Sequence, residues 1–253
     1  MAKIIAVINQ KGGVGKTTTV INLASYLAKG GRQVLVCDID PQGNSTSGLG
    51  VNKQALSATL YDVLFSDADP KSVTQKVTSH GISILPANAN LAGAEVELVN
   101  LAGRELVLKN LLAKLPGYDY VLIDCPPSLG LLSVNALAAA DEVLIPVQAE
   151  YYALEGLSQL LATIQRVKQA INPNLNLLGV ILTMYDRRNS LSEQVKVELM
   201  QHFEGKLFET VIPRNVRLAE APSFGKTILE HDRWSKGARA YKNLAKELEA
   251  RMR

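Results

Sequence analysis

The residues best suited to chemistry stand together near the N-terminus, as Lys11-Gly12-Gly13-Val14-Gly15-Lys16-Thr17-Thr18. Glycines reach backbone conformations closed to other residues, so amide N–H groups here can turn inward on an anion. A helix that follows such a loop directs its positive N-terminal end at the same point. Lys16 supplies a mobile cation for the β- and γ-phosphates of a nucleotide, and the Thr17 hydroxyl can ligate Mg2+. Thr18, one residue on, is placed to bond the α-phosphate. The usual spacing G-x-x-x-x-G-K-[ST] is altered: Gln10 stands where the first glycine would be, and Lys11 adds a second cation.

Two more segments bring acids. Asp38-Ile39-Asp40-Pro41-Gln42-Gly43-Asn44 follows an apolar run, and a carboxylate there can orient an attacking water or help hold a metal. Pro-Gln-Gly marks a turn. Asp124 ends the run Val121-Leu122-Ile123 and is placed to hold Mg2+ through water. Phosphoryl transfer needs positioning and charge neutralisation more than covalent chemistry, so lysines, Mg2+ and a water-orienting acid form a sufficient set.

These groups have to be positioned by strands and helices. Short β-branched runs predict strands over Ile4–Asn9, Gln33–Asp38, Ile82–Pro86, Tyr120–Asp124, Glu142–Val147, Leu177–Met184 and Leu207–Ile212. Several are apolar on both faces, as strands covered by helices on each side should be. Between them Val20, Leu23, Ala24 and Leu27 repeat with helical period, as do Leu157, Leu160, Leu161, Ile164, Val167 and Ile171. The alternation predicts an α/β fold, a doubly wound, mostly parallel sheet flanked by helices, with residues 1–253 forming a single domain. Residues 51–80 read as an irregular excursion of short helices. In such a sheet ligands bind beyond the carboxyl ends of the strands, where the phosphate loop and the acids fall.

Composition excludes several alternatives. The chain has 253 residues, 47% apolar and 20% charged, too apolar and too evenly charged for disorder. Apolar runs such as Ile4 to Ile8 are far below the roughly 18 residues of a membrane span, and no signal peptide is evident. Two cysteines, Cys37 and Cys125, make no disulfide scaffold and fit a reduced, cytoplasmic compartment. Both read as small core residues, and no His-Cys metal cluster is evident. Residues 1–180 hold 13 Lys+Arg against 14 Asp+Glu, whereas residues 181–253 hold 14 against 10, so the basic end hints at a polyanion.

The K-G-G-x-G-K-T-T form resembles the deviant Walker A ATPases, a family that includes the partition ATPases ParA and Soj, MinD and the nitrogenase iron protein. Similarity to the chromosome-type ParA/Soj group extends over nearly the whole chain. It is carried by DIDPQGNSTSGLG (38–50), LAGAEVELV (91–99), DCPPSLGLLSVNAL (124–137), PVQAEYYALEGLSQLL (146–161), LTMYD (182–186) and VIPRNVRLAEAPSFGKTI (211–228).

The resemblance implies an ATPase of the P-loop type with ATP and Mg2+ as cofactors. Its phosphate site is Lys11, Gly12, Gly13, Gly15, Lys16, Thr17 and Thr18, and Pro213 and Asn215 grip the adenine. Lys11 then reaches across an ATP-dependent homodimer to the partner's nucleotide; the lesser alternatives are a lysine that binds phosphate in its own chain or is simply solvated. Asp40 becomes the hydrolytic acid of a first switch and Asp124 lies in a second. Asp38 is open between serving the metal and capping the loop. The resemblance further implies sequence-independent binding of double-stranded DNA by the ATP-bound dimer. The matching positions are Arg188, for which Arg187 can substitute, and Arg217. Lys226, Arg233, Lys236, Arg239, Lys242 and Lys246 extend that basic surface. A ParB-type protein is the expected stimulator, the replication initiator DnaA is a further partner of some chromosomal relatives, and the nucleoid is the expected location.

With the first strand starting at residue 4, the winged-helix extension of some plasmid partition proteins is not expected, nor is operator-specific repression. The last helix sets Tyr241, Leu244, Ala245, Leu248 and Met252 on one stripe and reads as packing on the domain rather than on lipid. The rival readings are a MinD-like membrane-associated division-site ATPase and a metabolic ligase that activates a small carboxylate.

Overall fold

The computed structural model describes residues 2–77, 81–150 and 156–252. Seven strands form one sheet: β1 (Lys3–Val7), β2 (Val34–Asp38), β3 (Gln75–Lys76), β4 (Ile82–Leu85), β5 (Tyr120–Asp124), β6 (Glu142–Gln148) and β7 (Asn176–Thr183). Their order is β3-β4-β2-β5-β1-β6-β7, and all neighbours are parallel except the β3–β4 edge. Strands predicted from apolar runs match within a residue or two, as β-branched segments buried on both faces should. Alternate residues of β1 serve opposite faces. Ile5 and Val7 join the core under helix Lys16–Lys29 and the C-terminal helix Lys236–Arg251. Ala6 and Ile8 join the core under helices Leu131–Ala139, Leu157–Ala170 and Ser190–His202.

The helical stripes behave as their period requires. Val20, Leu23, Ala24 and Leu27 are all buried, and so are Leu157, Leu160, Ile164 and Val167, with Leu161 and Ile171 half-buried. The C-terminal stripe of Tyr241, Leu244, Ala245 and Leu248 is buried in the core, and the Tyr241 hydroxyl meets Thr19 Oγ1 at 3.2 Å. That stripe is therefore spent on packing. No helix among the described residues is long and apolar enough to cross a membrane. The excursion after residue 50 contains a 3-10 turn at Lys53–Ala55 and short helices at Leu60–Phe65 and Pro70–Val73. Residues 78–80, and residues 151–155 within the family-like stretch 146–161, lie outside the described residues.

One predicted strand fails. Leu207–Ile212 runs beside β7 but makes only isolated bridges, Val180 with Leu207 and Tyr185 with Pro213. The reason is a competing acceptor. The backbone N–H groups of Glu209 and Thr210 donate to the Glu247 carboxylate on the C-terminal helix at 2.8 and 2.9 Å, which pulls the segment off a ladder. The short antiparallel β3 was not expected from the sequence, since two exposed polar residues carry no apolar signal.

Candidate functional site

Beyond the C-terminal end of β1 the chain turns through residues 8–15 and enters helix Lys16–Lys29. Gly13 and Gly15 have φ of 74° and 89°, the left-handed region that glycine adopts without strain. A Cβ on Gly12 or Gly13 would meet nothing within 4 Å, so the loop borders open space. The helix has no side-chain N-cap, leaving its first N–H groups for an anion. Thr183 at the end of β7 pins the loop, its Oγ1 lying 2.8 Å from the Val14 carbonyl. Asn9 braces it from the other side, accepting from the Lys11 N–H and donating to the Pro146 carbonyl at 2.7 Å.

The two lysines divide their work. Lys16 is buried and donates to the Lys11 carbonyl at 3.2 Å, closing over the loop interior. Burial pushes its pKa down, while Asp124 and Asp40 pull it back. Lys11 instead lies on the exposed side, its ammonium 2.8 Å from Glu150 Oε2, with both side chains close to half exposed.

Parallel register brings the acids together. Asp38 on β2 and Asp124 on β5 are paired positions of adjacent strands, and Val7 is paired with Asp124 from β1. Both carboxyl groups are fully buried, and burial is the main cause of their raised pKa values. The charge of Asp124 raises Asp38 further, and the charge of Asp40 raises Asp124. At Asp38, Oδ1 accepts from the Asp40 N–H, and Oδ2 from the Thr46 N–H and hydroxyl at 2.8 and 2.7 Å. These bonds tie Asp38 to the loop that follows β2, and three accepted bonds leave a carboxylate lone pair for a metal as well.

Asp124 is different. Oδ2 accepts from the Ser45 hydroxyl at 2.7 Å, but Oδ1 is buried without a hydrogen-bond partner. The Thr17 hydroxyl and the Lys16 ammonium are close enough to lower its pKa. A buried, unpaired anionic oxygen is costly unless something cationic or a hydrogen-bond donor completes it. A hydrated Mg2+ between Thr17 and Asp124 fits that need. Asp40 is nearly buried and caps its own turn, accepting from the Gln42 N–H at 2.9 Å. The turn is clamped by Lys53, whose Nζ donates to the Gln42 carbonyl at 2.6 Å.

A second part of the site lies beyond the phosphate loop. Gly15, Thr18, Thr183, Met184, Pro213, Asn215 and Tyr241 help line a cavity of about 310 Å³. Asn215 Oδ1 is the other buried side-chain oxygen without a partner among the described residues. An exocyclic amine of a purine is the kind of donor it lacks. Met184 holds a left-handed backbone (φ 51°) here, a strained conformation of the sort that collects at ligand sites. Sequence reasoning missed Met184, Thr183, Ser45, Thr46, Lys53 and Glu150. Of these, Lys53 alone lies outside the family-like stretches and carried no signal.

The expected DNA-facing cations are on the surface. Arg188 is bidentate on Asp186 through Nε at 3.2 Å and Nη2 at 3.0 Å. Arg217 pairs with Glu220 at 2.9 Å and Asp232 at 3.7 Å. Lys226, Arg233, Lys236, Arg239, Lys242 and Lys246 are all exposed. Cys37 and Cys125 are buried core thiols with pKa values raised by burial, and no group of three or more His, Cys, Asp or Glu among the described residues can hold a metal.

Comparison with known proteins agrees with this geometry. The sequence profile of a family described as AAA domain matches residues 2–177. The chain is 55% identical to the sporulation initiation inhibitor protein Soj of Bacillus subtilis over 251 residues, 99% of each chain. It is 51% identical to the chromosome partitioning protein ParA of Caulobacter vibrioides, covering 99% of this chain and 95% of that one. Among solved structures, that of a cobyrinic acid a,c-diamide synthase from Mycobacterium smegmatis, with bound ATP analogue and magnesium, superposes with a TM-score of 0.86 at 42% identity, covering 97% and 93% of the two chains. With a phosphate loop, strand-tip acids and this likeness over nearly its full length, the chain belongs to the Soj/ParA family of chromosome-partitioning P-loop ATPases.

Proposed function

We propose that the chain is an ATP-dependent dimerisation switch acting as one domain from residue 1 to residue 253. One observation carries the reading. Lys16 fills the loop interior while the second lysine, Lys11, is displayed at the surface on an ion pair that water already weakens. A cation so placed is available to another molecule. Two copies close face to face around two Mg-ATP, each giving Lys11 to the other's phosphates. Within each copy the loop amides and Lys16 bind the phosphates, Thr18 takes the α-phosphate, and Pro213 and Asn215 hold the adenine. Asp40 orients the attacking water once its turn is released. Bound Mg2+ supplies charge neutralisation on the phosphates, held by Thr17 and, through water, by Asp124.

Closure aligns the basic residues of both copies, and the dimer binds double-stranded DNA without reading its sequence. Hydrolysis, stimulated by a ParB-type centromere-binding protein, opens the dimer and releases the DNA, driving segregation of chromosome origins on the nucleoid. Gel filtration and DNA binding with ATP, ADP and no nucleotide test this scheme. The native chain should dimerise and bind DNA with ATP alone. Lys11→Ala should abolish both, while Arg188→Glu should abolish only DNA binding. Equal DNA binding with and without nucleotide would remove the switch. A ligase reading draws on the likeness to the Mycobacterium smegmatis synthase and on a groove beside the Asp40 turn lined by Gln42, Asn44, Lys53, Gln54, Asn88 and Asn90. Fast turnover that appears only with a carboxylate metabolite would favour it.

A further inference from the structure

The turn between residues 231 and 236 carries a feature that phosphate contacts alone leave unused. Trp234, the single tryptophan of the chain, is 76% exposed. Large aromatic surface left in water costs free energy, and aromatic groups carried on a rigid, charged surface mark contact sites more often than isolated apolar residues do. The turn is rigidly built. Asp232 accepts from the Trp234 N–H at 3.1 Å through its carboxylate, and its carbonyl accepts from the Ser235 hydroxyl at 2.9 Å. Ser235 in turn caps the C-terminal helix, accepting from the Ala238 N–H. The ring is therefore held out on a fixed arm.

Its surroundings are cationic. The Arg233 guanidinium lies 5.0 Å from the ring centroid, leaving the opposite ring face and its edge open, and Lys236 stands at the start of the next helix. Asp232 also ties the arm to Arg217, and a second exposed aromatic, Phe224, stacks on neighbouring His231 at 5.2 Å. A protein partner with an apolar groove would not explain a guanidinium over one ring face and a lysine two residues on. A polyanion that also presents flat apolar edges does.

Resting on the DNA reading above, we infer that Trp234 is an aromatic contact for duplex DNA: its ring packs on sugar and base edges in the groove while Arg233 and Lys236 take the flanking phosphates. Apolar side chains used this way add affinity that does not depend on counterion release. They also remain sequence-tolerant, because the deoxyribose they touch is the same at every position.

The test uses the full chain with a non-hydrolysable ATP analogue and a short mixed-sequence duplex, read by duplex anisotropy and by tryptophan emission, which reports a single position. Duplex should shift or quench the emission. Trp234→Ala should weaken binding by roughly five-fold at fixed salt, the loss expected when about 40 Å² of apolar surface is returned to water. The slope of log K against log salt should stay unchanged, and Trp234→Phe should recover most of the loss. Thermal melts establish that both variants fold. If duplex binds while emission and the Trp234→Ala affinity stay as in the native chain, the aromatic contact is wrong and the DNA reading stands. An emission change on adding nucleotide alone, before duplex, places Trp234 between two copies and likewise overturns the proposal. If no form binds duplex, the DNA reading itself fails.

Discussion

Salt titration of a single-lysine variant measures directly whether two copies grip DNA together. Of the six cations most directly assigned to that surface, Arg188 is paired with Asp186, and Arg217 with Glu220 and Asp232. Lys226, Arg233, Lys236 and Lys242 engage in no ion pair among the described residues. These four alone give eight in a dimer, before Arg188 and Arg217 exchange their weak, exposed ion pairs for phosphate. At roughly −0.9 per phosphate, the eight make the slope of log K against log salt at least as steep as about −7, and raising salt from about 50 to about 200 mM costs at least about 10⁴-fold in affinity. Lys226→Gln removes one contact per chain, two per dimer, so it should flatten the slope by about 1.8. Binding by a single copy would flatten it by about 0.9. Fluorescence anisotropy of a labelled duplex with the ATP analogue, across a series of salt concentrations, reads both slopes. A change near 0.9, or the same slopes with ADP, would refute the argument that closure creates the surface.

The strand-tip acids yield further tests. Asp40→Ala should keep nucleotide and remain on DNA while turnover drops by about 10²- to 10⁴-fold, the usual worth of a group that positions a proton or water; loss of nucleotide binding would contradict its role. For Asp124 the raised pKa sets the sign. A carboxyl group whose folded value lies above its unfolded one costs stability once ionised, so the nucleotide-free protein should lose stability as pH rises from about 4 through neutrality. Asp124→Asn should therefore raise the nucleotide-free melting temperature, by about 2–4 °C for each kcal/mol recovered, and abolish the extra stabilisation by Mg-ATP over ATP alone. A lower melting temperature in calorimetry would show that the ionised form is not the strained one. Lys53→Met removes the 2.6 Å bond that clamps the turn at the Gln42 carbonyl and should raise basal turnover several-fold with ATP affinity unchanged; slower turnover would show that the clamp holds Asp40 in its working position, and an equal change in both would assign Lys53 to binding instead.

The phosphate loop was legible from sequence because its information is local. A glycine run between an apolar strand and a helix must expose its amides to an anion, whatever surrounds it. The β-branched apolar runs and the 3.6-residue period likewise specified the buried strands and three long amphipathic helices, since each follows from the geometry of its own element. Adjacency across the sheet was not encoded this way. The order β3-β4-β2-β5-β1-β6-β7 sets Asp38 against Asp124, residues 86 positions apart, and only that register shows one acid bonded to Thr46 and the other with an unpaired oxygen. The same holds for Glu247, which takes N–H groups from Leu207–Ile212 and prevents the strand its composition suggests. Glu150 under Lys11 and the exposed Trp234 were also decided by tertiary structure. Long-range hydrogen bonds and solvent exposure depend on which elements the fold brings together, and a one-dimensional pattern carries the propensity of each element but not its neighbours.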